Sequence, residues 1–209
     1  MKEATEKQIV LVVDDDPLMR DSLTYLFQSM ELPVKAFATT SELLDSKLLD
    51  VPSCLILDIR LPGGSGLEFQ DMLAKAGIQI PIVFLTAHGD VPMTVKAMKG
   101  GAVDFLIKPF RDQDMLDAVT RALYQDHKRR ADEKSLSDLR RRFRSLTPRE
   151  QEVMALAASG LKNKQIAYLL QVEEVTVKIH RGRAMKKMES RSIADLVTMA
   201  EALGIRRSA

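Results

Sequence analysis

The chain lacks several features that mark particular classes of protein. It has one cysteine, Cys54, which excludes an intramolecular disulfide and a metal site built from several cysteines. Cys54 lies in the apolar run CLILD, where a small buried strand residue is the simplest interpretation and a catalytic thiol is disfavoured. No apolar run approaches the ~18 residues that cross a bilayer, and the opening MKEATEKQ is too polar for a signal peptide. We therefore expect a cytoplasmic protein that does not bind membranes.

Glycine-rich phosphate-binding loops are also missing. The first apolar run is followed by DDDPLM, and neither GxGxxG nor a P-loop occurs, which argues against a nucleotide-binding module. Internal repeats and low-complexity tracts are absent as well. The 209 residues exceed one typical domain of roughly 100–150 residues, and the 45% hydrophobic content is enough for two cores. We therefore expect two small globular domains.

The two parts of the chain differ in charge, although the formal net charge is only +2. Residues 1–139 carry 16 Lys and Arg against 22 Asp and Glu, a net charge of −6. Residues 140–209 carry 15 against 7, a net charge of +8. This segregation indicates an acidic module joined to a module that binds a polyanion, most often nucleic acid.

Short apolar runs rich in Val, Ile and Leu alternate with amphipathic stretches in the acidic part. The runs are IVLVV (9–13), VKAF (34–37), CLILD (54–58), PIVFL (starting at Pro81) and DFLI (104–107). Continuous apolar runs are typical of strands buried on both faces, hence of a parallel sheet covered by helices on each side. Five such units in ~110 residues predict an α/β fold, the flavodoxin-like doubly wound (βα)5 arrangement.

The intervening helices have recognisable ends. Thr39 and Glu42 have the spacing of a capping box, Asp90 can cap VPMTVKAMK, and Gly100–Gly101 can end that helix in the left-handed conformation. From about Asp112 the pattern predicts one long helix, whose charged run HKRRADEK (127–134) we expect to be solvated.

Two apolar stripes lie on this long helix, out of phase across the charged run. The first consists of Leu116, Val119 and Leu123, and the second of Leu136, Leu139, Phe143 and Leu146. The second stripe could pack against the second domain or against a partner chain, and the sequence does not distinguish the two.

The basic part reads as a set of four short helices. Thr147, Pro148 and Glu150 form a strong helix start, and the pattern predicts helices at 148–159, 163–170, 173–188 and 192–203, with Gly160 and Gly204 as stops. In the third helix Val177, His180 or Arg181, Ala184 and Met188 recur at helical spacing and should pack on the other helices. This makes His180 a buried or half-buried residue rather than a ligand.

Polar residues follow the strands of the predicted sheet at the ends where ligands bind in such folds. Asp14, Asp15 and Asp16 follow the first strand, Asp58 ends the third, Thr86 the fourth, and Lys108-Pro109 the fifth. Clustered carboxylates repel one another unless a cation neutralises them, and oxygen ligands without His or Cys suit Mg²⁺.

Beside such a cation, Asp58 could attack phosphorus and form an aspartyl-phosphate. Lys108 would offset the incoming charge and the Thr86 hydroxyl could bond a phosphoryl oxygen. Each residue alone is more often a cap or a solvated side chain, so the prediction depends on the joint arrangement.

The motifs VVDDDP, LILDIRLPGGSG, FLTAHGD and GAVDFLIKPF resemble the receiver domain of two-component response regulators over about residues 8–125, and TAHGDVPMTVKAMKGGAVDFLIKPF resembles the FixJ subfamily. The resemblance implies that Asp14, Asp15, Asp58 and the backbone carbonyl of Arg60 hold Mg²⁺, with Mn²⁺ as an alternative, and that Asp58 is phosphorylated. It also implies that Thr86 and Phe105 switch together, and that Lys108-Pro109 is a cis peptide.

Three residues near these motifs need separate interpretation. Asp16 aligns as an extra acid and is expected to start a helix. Gly63-Gly64 departs from the family, which commonly has a bulkier residue after the first glycine, and this could loosen the loop beside the phosphate. His88 is interpreted as a loop residue.

Residues 145–202 resemble a LuxR-type helix-turn-helix domain through SLTPREQEVMALAASGLKNKQIAYLL and VEEVTVKIHRGRAMKKM, with a purely structural helical bundle as the alternative. Positions that read bases in that family correspond to Lys178, Ile179 and Gly182, with Glu174 and Lys186 continuing the same face. Phosphate contacts are expected from Thr176, Arg183, Lys187, Lys162 and Lys164. Gly182 indicates either close approach to DNA or tight packing.

The two resemblances together define a FixJ/NarL-like response regulator, with a receiver domain at 1–125, a helical linker at 126–143 and a LuxR-type domain at 144–209. They imply phosphorylation by a sensor histidine kinase, a homodimer formed through residues 91–107, binding to double-stranded promoter DNA, and contact with RNA polymerase. We expect no turnover enzyme, because the receiver catalyses only its own phosphorylation and dephosphorylation. A Mg²⁺-dependent phosphohydrolase and a phosphorylation-independent DNA-binding scaffold are the competing hypotheses.

Overall fold

Strands and helices alternate through the first 110 residues or so, as the apolar runs predict. The computed structural model describes residues 8–46 and 50–205. The first seven residues, which contain most of the segment judged too polar for a signal peptide, lie outside this described part. The chain divides into two compact units, residues 1–130 and 131–209, and each is described by itself below.

Five parallel strands form the sheet of the first unit. They are β1 (Ile9–Val13), β2 (Val34–Phe37), β3 (Ser53–Asp58), β6 (Ile82–Thr86) and β7 (Asp104–Ile107). A separate antiparallel ribbon consists of β4 (Arg60–Leu61) and β5 (Gly64–Ser65). The strand order β2-β1-β3-β6-β7 is the flavodoxin-like order, so the predicted fold class is confirmed. Neighbouring strands are in register, with Val13 beside Leu57 and Asp58 beside Leu85, so their carboxyl ends lie at one edge of the sheet.

Helices cover both faces of this sheet. They are α1 (Pro17–Ser29), α2 (Thr40–Asp45), α3 (Gly66–Lys75), α4 (Val91–Lys99) and the first part of α5 (Asp112–Arg144). One face packs Leu11, Val13 and Leu57 against α2, α3 and α4. The other packs residues such as Val12 and Ile56 against α1 and α5, and each fully buried Leu or Ile stabilises the fold by about 1.5–3 kcal/mol. Cys54 is buried in this second core, as predicted, and burial raises the pKa of its thiol.

The predicted helix caps are present with one change. Asp16 caps α1 by accepting from the amide of Leu18, and Asp90 caps α4 by accepting from Met93 at 2.7 Å. Gly101, just past α4, has φ +92°, the left-handed conformation expected there. The capping box predicted at Thr39 is only half formed, because the Glu42 carboxylate accepts from Ala38 rather than from Thr39.

The charged run after residue 126 is not uniformly solvated, which corrects the expectation for the middle of α5. Asp126 is fully buried and accepts a hydrogen bond of 2.9 Å from the backbone amide of Ser53. Arg129 and Arg130 fold back onto the same carboxylate at 2.6 and 2.7 Å, and Arg130 also pairs with Asp50. A buried carboxylate needs such partners because an unpaired charge in the interior is strongly destabilising.

The second unit contains the four predicted helices, α6 (Pro148–Ala158), α7 (Asn163–Leu170), α8 (Glu174–Met188) and α9 (Ile193–Ala202). The capping box at Thr147 is complete, with Thr147 Oγ1 accepting from the amide of Glu150 and the Glu150 carboxylate accepting from the amide of Thr147 at 2.8 Å. Gly160 and Gly204 both adopt positive φ, as expected of helix stops.

The second apolar stripe of α5 belongs to the core of the second unit. Leu146 is buried there, and Leu139 and Phe143 pack against the same cluster, while Leu136 is half-buried. Of the two partners that the sequence left open, the structure therefore supports the second domain. Among the described residues, no helix combines the length and the apolar character needed to cross a membrane.

Candidate functional site

Three aspartates come together at the carboxyl edge of the sheet. The carboxylates of Asp14, Asp15 and Asp58 each offer an oxygen within 4.8 Å of the others. They meet because Asp14 directly follows β1, Asp58 ends β3, and these two strands are neighbours in register. Asp14 is 1% and Asp58 6% exposed, whereas Asp15 is exposed, so the cluster is reachable from solvent on the side of Asp15.

Lys108 joins the two buried carboxylates. Its Nζ donates to Asp14 Oδ2 and to Asp58 Oδ2, both at 2.6 Å. The remaining oxygens accept from backbone amides: Asp14 Oδ1 from Asp16 at 3.0 Å and Asp58 Oδ1 from Arg60 at 2.9 Å. The Lys108-Pro109 peptide is cis, as the resemblance implies.

The electrostatics of the cluster follow mainly from burial and from the ammonium of Lys108. Burial raises the pKa of Asp14, and the hydrogen bonds from Lys108 and from the amide of Asp16 only partly oppose the rise. For Lys108, burial disfavours the ammonium, but the bonds to Asp14 and Asp58 outweigh it and the pKa is raised. Three carboxylates against one ammonium leave an excess of negative charge that a divalent cation would neutralise.

The donor set fits a hard divalent cation. All side-chain ligands are carboxylate oxygens, and the partly open position beside Asp15 leaves room for water and phosphate oxygens, which Mg²⁺ retains in its shell. The backbone amide of Arg60 donates a hydrogen bond to Asp58. The role of the Arg60 backbone carbonyl as a metal ligand stays a prediction.

The two predicted switch residues lie on the neighbouring strands β6 and β7. Thr86 ends β6, is fully buried, and its hydroxyl accepts from the amide of His88 at 3.2 Å. Phe105 is half-buried beside Phe84, with ring centroids 6.5 Å apart. Their joint movement stays a prediction. His88 is exposed in the loop before α4, which agrees with its interpretation as a loop residue.

A second candidate site is the exposed face of α8. Its inner face is buried as predicted, through Val177, Ala184 and Met188, and His180 is half-buried. On the outer face the Lys178 side chain is 63% and Ile179 49% exposed.

Gly182 also lies on this outer face. A Cβ built at Gly182 meets no described atom within 4 Å, so tight packing does not explain the glycine, and close approach to DNA stays a prediction. Glu174 pairs loosely with Lys178, at 3.5 Å.

The residues predicted to contact phosphates differ in their exposure and in their hydrogen bonds within the domain. Lys162, Lys164, Arg183 and Lys186 are exposed, and Thr176 is half-buried. Lys187 instead donates to the buried carboxylate of Glu150 at 2.6 Å and to the carbonyl of Ser145 at 3.3 Å. The ammonium of Lys187 therefore has a structural role within the domain in addition to any contact with DNA.

Comparison with known proteins identifies both domains. Residues 10–120 match the response regulator receiver domain, and residues 144–200 match the bacterial regulatory proteins of the luxR family. Nodulation protein W of Bradyrhizobium diazoefficiens is 58% identical over 97% of this chain and 89% of its own length. The chain belongs to the response-regulator family.

Other relatives match this response regulator over almost the whole chain. Response regulator protein TmoT of Ectopseudomonas mendocina is 42% identical over 95% of this chain and 90% of its own length. The structure of response regulator StyR is 47% identical and superposes with a TM-score of 0.85 over 93% of this chain and 98% of that one. Full-length FixJ from B. japonicum is 37% identical with a TM-score of 0.57, over 97% and 100%.

The structure also identifies residues of the response regulator that sequence reasoning missed. A Cβ at Gly66 would lie 2.4 Å from the carbonyl oxygen of Asp58, so only glycine lets the start of α3 pack against the acidic edge. Gly63 lies in the turn of the β4–β5 ribbon with φ +89°, which accounts for one glycine of the unusual pair.

Two further missed residues, Val175 and Arg20, flank the candidate sites. Val175 on α8 is 61% exposed, one turn before Ile179, and the helical spacing of the two could have revealed it. Arg20 Nη1 donates to the backbone carbonyls of Asp14 at 2.7 Å and Asp15 at 3.0 Å. No pattern in the sequence signals these two bonds.

Proposed function

We propose that this response regulator accepts a phosphoryl group on Asp58 from a sensor histidine kinase, and that the phosphorylated form binds promoter DNA through α8. The observation that carries the proposal is the pair of 2.6 Å bonds by which Lys108 holds Asp14 and Asp58 together at the carboxyl edge of the sheet. A nucleophile, a cation and further carboxylates this close together support the transfer of one phosphoryl group to Asp58.

The chemistry is a transfer between two proteins. An Asp58 carboxylate oxygen attacks phosphorus, the bond between phosphorus and the kinase histidine nitrogen breaks, and that nitrogen keeps the electron pair. A bound Mg²⁺, or Mn²⁺ as the alternative, would neutralise charge on the phosphoryl oxygens. Asp14, Asp15 and Asp58, with the Arg60 carbonyl, would hold the metal.

The residues around the nucleophile distinguish the phosphorylated from the free state. Lys108 leaves its bond with Asp58 to bind a phosphoryl oxygen, and the Thr86 hydroxyl bonds another. These contacts exist only in the phosphorylated state, so they bias the equilibrium between two receiver conformations. Phe105 passes the change to the surface of residues 91–107.

The remaining parts of the proposal concern partners. The receiver is no turnover enzyme, because it catalyses only its own phosphorylation and slow dephosphorylation. Phosphorylation favours a homodimer that binds a two-fold related DNA site and contacts RNA polymerase. A regulator of promoters with these domains works in the cytoplasm.

A phosphoryl analogue tests the proposal. Beryllofluoride with Mg²⁺ should tighten binding of the full chain to its selected DNA site, and the same treatment should leave Asp58→Asn unchanged. Equal DNA affinity of the wild-type chain with and without the analogue would refute control by phosphorylation. Turnover of a free phosphate ester by the wild-type chain would support a phosphohydrolase instead.

A further inference from the structure

Arg20 reaches from α1 back to the loop that carries the acidic cluster. It lies in the first turns of the helix, where its own amide donates to the carbonyl of Asp16 at 3.1 Å. Its side chain is half-buried, and Nη1 donates to two consecutive carbonyls, those of Asp14 and Asp15. A single nitrogen therefore holds both peptide groups of the loop.

These bonds restrict the loop in a way that bears on its carboxylates. Fixing the carbonyls of Asp14 and Asp15 limits rotation about the backbone between them, and the backbone sets the direction in which each side chain leaves. The Asp14 carboxylate is also held by Lys108 and by the amide of Asp16. Asp15 is exposed, and its side chain has far less support, so its direction depends more on the backbone.

The charge of Arg20 alone would have the opposite effect. A guanidinium close to a cation site repels the incoming metal, so removing it should tighten metal binding if electrostatics were its main influence. Removing a group that orients metal ligands weakens metal binding instead. The sign of the change therefore separates the two roles.

We propose that Arg20 is a positioning residue for the metal site, holding the Asp14–Asp15 loop so that both carboxylates point at the cation. The inference rests on the proposed metal-dependent phosphorylation of Asp58. Arg20 touches neither the phosphoryl group nor the metal, and acts only through the two carbonyls.

Arg20→Met removes the hydrogen-bond donor and the charge while keeping most of the aliphatic stem. The probe is Mn²⁺ alone, and electron paramagnetic resonance measures its binding to the full chain. The dissociation constant for Mn²⁺ should rise about tenfold or more. Arg20→Lys should bind Mn²⁺ nearly as well as wild type, because both native bonds come from one nitrogen that an ammonium can replace. Arg111→Ala, which removes the same charge at an exposed ion pair, should leave the constant unchanged.

Phosphorylation supplies a second readout. With a small phosphoryl donor, Arg20→Met should need about tenfold more Mg²⁺ for half-maximal rate while reaching nearly the wild-type rate at saturating Mg²⁺. A purely structural role would lower the rate at every Mg²⁺ concentration. Unchanged or tighter Mn²⁺ binding by Arg20→Met, or equal weakening in Arg20→Met and Arg20→Lys, would overturn the inference. Failure of the wild-type chain to bind Mn²⁺ would instead refute the metal site itself.

Discussion

At the scale of single residues, the proposed chemistry of the receiver depends on one carboxylate. Asp58→Asn keeps the shape of the side chain but removes the nucleophile, so the variant should not acquire an acid-labile phosphoryl group from a small donor. Removing Mg²⁺ with a chelator should have the same effect on the wild type, because Asp14 and Asp15 then repel the incoming phosphate. Labelled phosphoryl donor followed by intact-mass analysis measures both. Phosphorylation of the variant at the wild-type rate would show that another residue is the acceptor.

The exposed residues of α8 lead to a prediction about DNA sequence. Lys178→Ala or Ile179→Ala should cost roughly 1–3 kcal/mol on the selected site and relax discrimination at one base pair. Lys164→Ala should weaken binding to all sequences alike and lower the slope of log K against log salt by about one. Binding titrations on selected and random DNA at several salt concentrations measure these effects.

Lys164 is a better phosphate probe than Lys187, because Lys164 is exposed and Lys187 is bonded to the buried carboxylate of Glu150. Lys187→Ala should also weaken all sequences and lower the salt slope, but it leaves the buried Glu150 carboxylate without its cation and so changes stability too. Equal losses on selected and random DNA for Lys178→Ala would mean that this face does not read bases.

At the scale of helices and strands, the start of α6 shows how one side chain can serve two elements. Glu150 completes the capping box of α6 and also binds Lys187 of α8, and the bond from Lys187 lowers the pKa of Glu150. A lowered pKa in the folded state stabilises the fold above the ordinary glutamate pKa of about 4.3, and this stabilisation is lost as the pH falls through the lowered value.

Glu150→Gln keeps an acceptor for the cap but removes the charge. We expect its melting temperature to lie below that of the wild type at pH 7, and the difference to shrink as the pH falls below about 4. Calorimetry of the full chain at both pH values measures the difference, with Glu152→Gln on the exposed side of the same helix as the control. A difference that stays constant with pH would mean that the ion pair contributes nothing to stability.

Elements differed in how well the sequence predicted them. Strands β1, β2 and β7 have the predicted bounds. For β1 the reason is continuous burial on both faces, which leaves an apolar run that ends where the strand ends, whereas β2 and β7 are partly exposed strands at the two edges of the sheet. The prediction of a solvated charged run in α5 was wrong for Arg129 and Arg130. Their partner Asp126 is buried and bonded to Ser53, which lies 73 positions away in the sequence. Contacts between residues so far apart leave no local pattern, and the same holds for Lys108 and Asp14 until a known family supplies the pairing.

At the scale of the whole molecule, the charge segregation corresponds to two chemistries. The acidic unit contains a carboxylate cluster that fits a divalent cation, and the basic unit contains a helix with exposed lysines next to apolar side chains. Charge and strand-end residues indicated a cation site and a polyanion-binding module, and the resemblance to two known domain families supplied the functions. The loop geometry held by Arg20 and the close approach at Gly66 were not predictable, since they depend on distances of a few ångströms between backbone segments.

The surface of residues 91–107 leads to the last prediction, which concerns assembly. Val91 is 77%, Val95 45%, Met98 44% and Ile107 51% exposed, so α4 and β7 present apolar side chains to solvent. Exposed apolar side chains grouped on one surface are typical of interaction sites, and Phe105 belongs to the same segment. We expect beryllofluoride with Mg²⁺ to convert monomers into dimers through this surface, while α9 pairs with its copy on DNA.

Val95→Glu should abolish the conversion without preventing phosphorylation, because a buried unpaired carboxylate in the interface is strongly unfavourable. Tyr25→Glu, at a 73% exposed position on α1, should dimerise like the wild type. Sedimentation velocity distinguishes the species, and one unchanged state of the wild-type chain with and without the analogue would rule out activation by dimerisation.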